Sequence, residues 1–263
     1  MFQTHRIGHY TLKTGFKSTN TAPHDGNVLE IFTVYRYYVS MSPILSFRDV
    51  SLLGFFEGFS CDIEAGSSVL VVTSREDEST ALTRLVTGLS SPVLGSVLVD
   101  GQDIGGLETA QLYQLRQQIG VVPSNGGLVS NLKLWENITL PLMYHAGGVT
   151  AEDEKNALDY LARLGYSGNI MALPAHLTHH ERQLAAMVRV FLGKPRIVLY
   201  SNCIEGTPSA SRDAFFQVTK EFHTAVKDRT SLYLTSSPDL AANLPVDLIV
   251  RLNGSVETVS RNV

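Results

Sequence analysis

Apolar and polar positions alternate from Ile44 to Val50, and this run with its extension to Leu53 reads as a short β-strand, followed by a second from Phe59 to Ile63. The Ala65-Gly66 pair turns the chain into a compact apolar strand, Ser68 to Val72. The next eight positions, Thr73-Ser74-Arg75-Glu76-Asp77-Glu78-Ser79-Thr80, are all polar. Leu82, Leu85, Val86 and Leu89 then recur at helical spacing, closed by Gly88 and Ser90, so the order is strand, polar loop, helix. Gly95 to Gly101 predicts a strand ending in an Asp-Gly turn, Leu107 to Gln118 a helix, and Ile119 to Val122 another buried strand. Ala157, Leu158, Leu161 and Leu164 share one helix face, and Leu184, Met187, Val188, Phe191 and Leu192 share another. Past Pro195 come an apolar strand, Ile197 to Tyr200, a helix from Ser209 to Lys227, a strand from Leu232 to Leu234 and a short helix near Leu240. Apolar strands separated by helices imply a mainly parallel sheet covered on both faces, hence an α/β fold. An antiparallel β portion precedes it, and a helical subdomain spans roughly residues 130–190.

The first 40 residues carry His5, Arg6, His9, Lys13, Lys17 and His24 without a sustained helical or strand period. Residues 1–42 are therefore read as an extension, either a flexible, disordered arm or a stretch upstream of a translation start at Met41, and 43–263 as the domain. A net charge of -4 with 17% charged residues makes nucleic acid or an anionic membrane surface an unsuitable main partner. Two cysteines, Cys61 and Cys203, suit a reducing, cytoplasmic setting better than a disulfide framework. No apolar run is long enough to cross a membrane, and the N-terminus lacks the apolar core of a signal peptide.

Two long ordered stretches carry a family resemblance. Gly88-Leu-Ser-Ser-Pro92-Val-Leu-Gly95-Ser-Val-Leu-Val-Asp100-Gly101-Gln-Asp103-Ile and Leu132-Lys-Leu-Trp135-Glu136-Asn137-Ile138-Thr-Leu-Pro141-Leu resemble the nucleotide-binding domain of ABC transporters. The likeness covers about residues 44–258 and, in the second stretch, is nearest to lipid- and lipoprotein-handling members. It implies a P-loop NTPase-like fold.

The resemblance also implies a phosphate loop of the form G-x-x-x-x-G-K-[ST], in which glycines let backbone N–H groups surround the phosphates and lysine adds positive charge. Here Thr73 and Glu78 fall on the glycines, Ser79 on the lysine and Thr80 on the magnesium-binding hydroxyl, so only the hydroxyl is kept. Glu76, Asp77 and Glu78 would repel a polyphosphate, and the favoured reading is that they cap the following helix where phosphate would otherwise sit. The family's signature, L-S-G-G-[QE], is matched by Leu177-Thr178-His179-His180-Glu181, with histidines where glycines permit close approach to a partner subunit's γ-phosphate. Ser124 stands at the glutamine-loop position, Ser201-Asn202 where two carboxylates are expected, Pro208 at the D-loop aspartate and Ser236 at the family's histidine. Asn202 can orient a water but cannot take its proton. Phe55 or Phe56 could stack on adenine.

The expectation is a non-hydrolysing structural or regulatory subunit with no catalytic or metal-binding residues and no bound cofactor. It would pair with a membrane permease, a second, intact ABC ATPase subunit, or both, as a heterodimer on the inner face of the membrane. The alternative is a working ATPase subunit that binds ATP and magnesium at an atypical site, using the surviving Thr80, Thr178 and Glu181.

Overall fold

Each apolar strand must bury both faces, and a computed structural model shows how. It describes residues 2–7, 10–15, 40–41, 43–145, 147–252 and 256–258. Three strands near the N-terminus, β1 (Phe2–Ile7), β2 (Tyr10–Gly15) and β3 (Ser40–Met41), form an antiparallel sheet. The sequence reading placed no strand there, although β-branched and aromatic positions such as Thr4, Ile7, Tyr10 and Thr11 favour one. The rest of the expected 1–42 extension lies outside the described residues.

β4 (Pro43–Leu52) and β5 (Phe56–Glu64) pair antiparallel, and β7 (Leu94–Val99) and β8 (Gln102–Asp103) extend the sheet in the order β5-β4-β7-β8. The main sheet contains β6 (Ser68–Val72), β9 (Ile119–Pro123), β10 (Ile197–Ser201), β11 (Thr230–Thr235), β12 (Leu248–Arg251) and β13 (Val256–Thr258). Its order is β13-β12-β6-β11-β10-β9, parallel throughout except for β13. The helices are α1 (Glu76–Val86), α2 (Thr109–Gln117), α3 (Leu134–His145), α4 (Ala151–Arg163), α5 (His179–Leu192) and α6 (Ser209–Thr224). The fold is thus the expected α/β arrangement, and α3, α4 and α5 pack in one core with a face of the parallel sheet.

The two faces of the parallel sheet feed different cores. Val69, Val71, Ile197, Leu199, Leu232 and Leu234 join the antiparallel sheet and α1, whereas Leu70, Val198, Tyr200 and Tyr233 join the helical side. This period of two is the geometry of a strand. α5 packs closely on β9 because Gly120 has no side chain; a Cβ there would lie 2.5 Å from Val190 Cγ1.

Some elements differ from the sequence reading. α1 begins at Glu76, inside the polar run, because an acidic first turn complements the positive end of a helix. The short helix near Leu240 is a single 3₁₀ turn, Pro238–Ala241. β12 was not anticipated; it is short and only partly apolar, and it gains its identity by pairing with β6.

Candidate functional site

The parallel strands β6, β10 and β11 end on one side of the sheet, where ligands of open α/β sheets bind. Beyond β6, the Thr73 N–H donates to Thr235 O (2.9 Å), tying the loop to the end of β11. The hydroxyls of Thr73 and Ser79 meet at 3.1 Å, and both residues are buried. Ser79, expected at the lysine position, is therefore turned into the protein. Thr80, the one retained letter, is exposed.

Glu78 is only 6% exposed. It stands in the first turn of α1, whose N-cap Arg75 offers no side-chain cap. One carboxylate oxygen accepts from Ser74 N–H at 2.7 Å, and the other lies 3.7 Å from Arg75 Nε. A helix N-terminus with free N–H groups is an anion site, and the Glu78 carboxylate stands in that first turn, bonded to the Ser74 N–H just before the helix. A phosphate oxygen about 4 Å from that carboxylate would meet a repulsion of about 1 kcal/mol in water and about 4 kcal/mol near protein.

At the end of β10, Asn202 takes a left-handed backbone conformation (φ 51°) and is buried. Its N–H donates to Leu234 O (3.0 Å) and its side-chain Nδ2 to Glu76 O (2.9 Å), so the amide nitrogen is committed to the start of α1. The buried Oδ1 has no protein partner and can only accept.

Sequence reasoning missed Glu205. Its Oε1 accepts from Thr235 Oγ1 (2.6 Å) and from Ser236 N–H (3.0 Å), while Oε2 is shielded from solvent without a partner. The carboxylate thus reaches the residue at the family's histidine position. The only local signal was that no other carboxylate lies between Ser201 and Arg212.

The signature segment is absorbed into a helix cap. The Thr178 N–H and Oγ1 both donate to Glu181 Oε2 (2.8 and 2.9 Å), and Glu181 N–H donates to Thr178 Oγ1 (3.2 Å). This reciprocal pattern is a capping box. His179 is exposed, whereas burial of His180 lowers its imidazole pKa, and the buried His180 Nδ1 has no partner. The buried amide of Gln183 donates from Nε2 to Cys203 O (2.9 Å). The turn after β10 therefore carries ties to both candidate segments, α1 through Asn202 and α5 through Gln183.

Of the two candidate stacking rings, Phe56 is buried against Phe59 at 6.0 Å, which leaves Phe55 partly exposed. Both cysteines are buried, and burial raises both thiol pKa values, to about 11 for Cys61, so neither is poised as a nucleophile.

The family model described as "ABC transporter" matches residues 79–203. A methionine import ATP-binding protein, MetN, of Caulobacter vibrioides is 29% identical over 161 residues, covering 61% of this chain and 47% of the relative. A probable ribonucleotide transport ATP-binding protein, mkl, of Mycobacterium leprae is 28% identical, covering 72% of this chain and 54% of the relative. The chain spans about half the length of these curated relatives, and neither name refers to lipid. Among solved structures, the dimeric ATP-binding cassette MJ0796 in a post-hydrolysis state with ADP and Pi superposes with a TM-score of 0.71. The match has 20% identity and covers 82% of this chain and 99% of that one.

Proposed function

The chain carries the nucleotide-binding domain of an ABC transporter, and on that premise we propose that it acts as a non-hydrolysing structural or regulatory subunit of a membrane transport complex. The observation that carries this reading is the buried Glu78 carboxylate on Ser74 N–H, at the helix end where the family receives phosphate. Ser79 supplies no charge to offset it, and Ser201 and Asn202 supply no base. These residues do not fit a magnesium-bound polyphosphate, so no cofactor is assigned.

The partners are a membrane permease, an intact ABC ATPase, or both. The named relatives are import or transport ATP-binding proteins and the superposed cassette is a dimer, which supports these classes of partner. A heterodimer is favoured, because a homodimer would pair two sites lacking the family's lysine. Among the described residues no helix is long and apolar enough to cross a membrane, and the proposed place at the inner membrane face depends on the partner.

A second reading, a working ATPase with an atypical site, draws on Glu205, whose carboxylate stands at the ligand-binding end of the sheet with one oxygen unpartnered. Calorimetry with magnesium and ATP, beside phosphate release with and without an intact relative, separates the two. Absence of binding at millimolar ATP supports the first. Binding with turnover that Glu205→Gln abolishes supports the second.

A further inference from the structure

Arg75 reaches from the loop between β6 and α1 back to the turn between β4 and β5. Its guanidinium donates through one NH₂ group to Gly54 O (2.9 Å), and its central carbon lies 5.7 Å from the centroid of the Phe55 ring. Nε is held 3.2 Å from Asp77 Oδ1 and 3.7 Å from Glu78 Oε1. A planar guanidinium can hydrogen-bond at its edge while its charge is attracted to an aromatic face. The turn belongs to the antiparallel sheet and the loop to the parallel one. One side chain thus joins the turn of the antiparallel sheet to the loop that leads into α1.

We propose that Arg75 is an internal latch that occupies the Phe55 ring and holds the antiparallel sheet onto the phosphate loop in the absence of nucleotide. The inference rests on the proposed function and deepens it: Glu78 fills the phosphate end, Arg75 fills the base end, and the subunit keeps one shape whether or not ATP is present. The two acidic neighbours, Asp77 and Glu78, hold the guanidinium at Nε while its NH₂ group bonds Gly54 O. The arginine is about half exposed, so the latch is a fastening of moderate strength.

Hydrogen–deuterium exchange on the full chain tests it, read at the amides of residues 52–58 and 73–78 with and without magnesium and ATP. In the wild type both segments should exchange at rates that millimolar ATP leaves unchanged. Arg75→Ala should accelerate both segments by about three- to tenfold, the range expected for losing one exposed cation–π contact and one charged hydrogen bond. Phe55→Leu, which removes the ring and leaves the arginine, should accelerate the 52–58 segment to a smaller extent. Arg75→Lys, which keeps the charge without the fork, should fall between Arg75→Ala and the wild type. Exchange of residues 52–58 that is unchanged in Arg75→Ala would overturn the latch while leaving the proposed function intact. Calorimetric binding of ATP to the wild type would instead overturn the reading of the phosphate end.

Discussion

The starts of α1 and α5 solve one physical problem in two ways. Each helix has a glutamate at its third residue, Glu78 and Glu181, and each carboxylate turns back to accept a backbone N–H before the helix. At α5 the cap is a threonine, the glutamate bonds the cap's own N–H, and the reciprocal pair is exposed. At α1 the cap position is Arg75, which has no capping hydroxyl, and the buried Glu78 reaches one residue further to Ser74 N–H. An exposed capping box serves the helix alone. A buried carboxylate in the same role also brings a negative charge to the helix end, and under the proposed function that is what keeps an external anion away from α1. Both helices are tied to the turn after β10 by a side-chain NH₂, from Asn202 to Glu76 O and from Gln183 to Cys203 O.

These ties give the largest expected effects. Asn202→Asp or Gln183→Glu would place a carboxylate against a carbonyl oxygen in the interior. Each should destabilise the fold by about 3 kcal/mol or more in urea unfolding, and a smaller loss at only one site would show that the two helices are not held alike. Refitting comes next. The triple substitution Thr73→Gly, Glu78→Gly, Ser79→Lys should bring magnesium-ATP binding into the calorimetric range, an affinity gain of at least about tenfold, or about 1.4 kcal/mol. Phosphate release should stay at background, because the strand-end carboxylates are still missing. Failure of the triple variant to bind would mean that Glu78 is not what excludes phosphate.

The caps themselves should differ by less. Glu78→Ala removes a charged hydrogen bond made by a buried carboxylate and should cost about 1–2 kcal/mol, whereas Thr178→Ala should cost about 1 kcal/mol as an ordinary cap loss. Equal unfolding midpoints for the two variants would erase the contrast between buried and exposed caps. The smallest effect is a pH dependence confined to α5. Burial lowers the His180 pKa, so between the ordinary imidazole value, about 6.5, and the lowered one the unfolded chain holds a proton that the folded chain releases. Stability from this group is therefore complete above that ordinary value and declines as pH falls through the window. His180→Asn should flatten that part of the profile in urea unfolding measured from pH 7.5 to 5.5.

The framework was largely legible in the amino-acid pattern. Buried strands such as Ile197–Ser201 show as unbroken apolar runs, and α4 and α5 show as apolar stripes, because both signals depend on neighbours a few residues apart. The Thr178–Glu181 cap was equally open to reading, since its partners are three residues apart. β12 was not, because its four residues become a strand by pairing with β6 and β13. Glu205 escaped notice for a related reason: its partners, Thr235 and Ser236, belong to another strand end.

By itself the sequence determined the order of the core strands and helices between Pro43 and Thr235 and the letters at the candidate site: glutamate, serine and asparagine where the family resemblance expects glycine, lysine and a carboxylate. Local periodicity and side-chain chemistry suffice for both. Only the tertiary structure decided what those letters do. The order β6-β11-β10 brings Asn202 to Glu76, 126 residues away, and Thr235 to Thr73. Burial behind those strand ends sets Glu78 apart from the exposed Glu76 and Asp77 and puts its carboxylate on the Ser74 N–H.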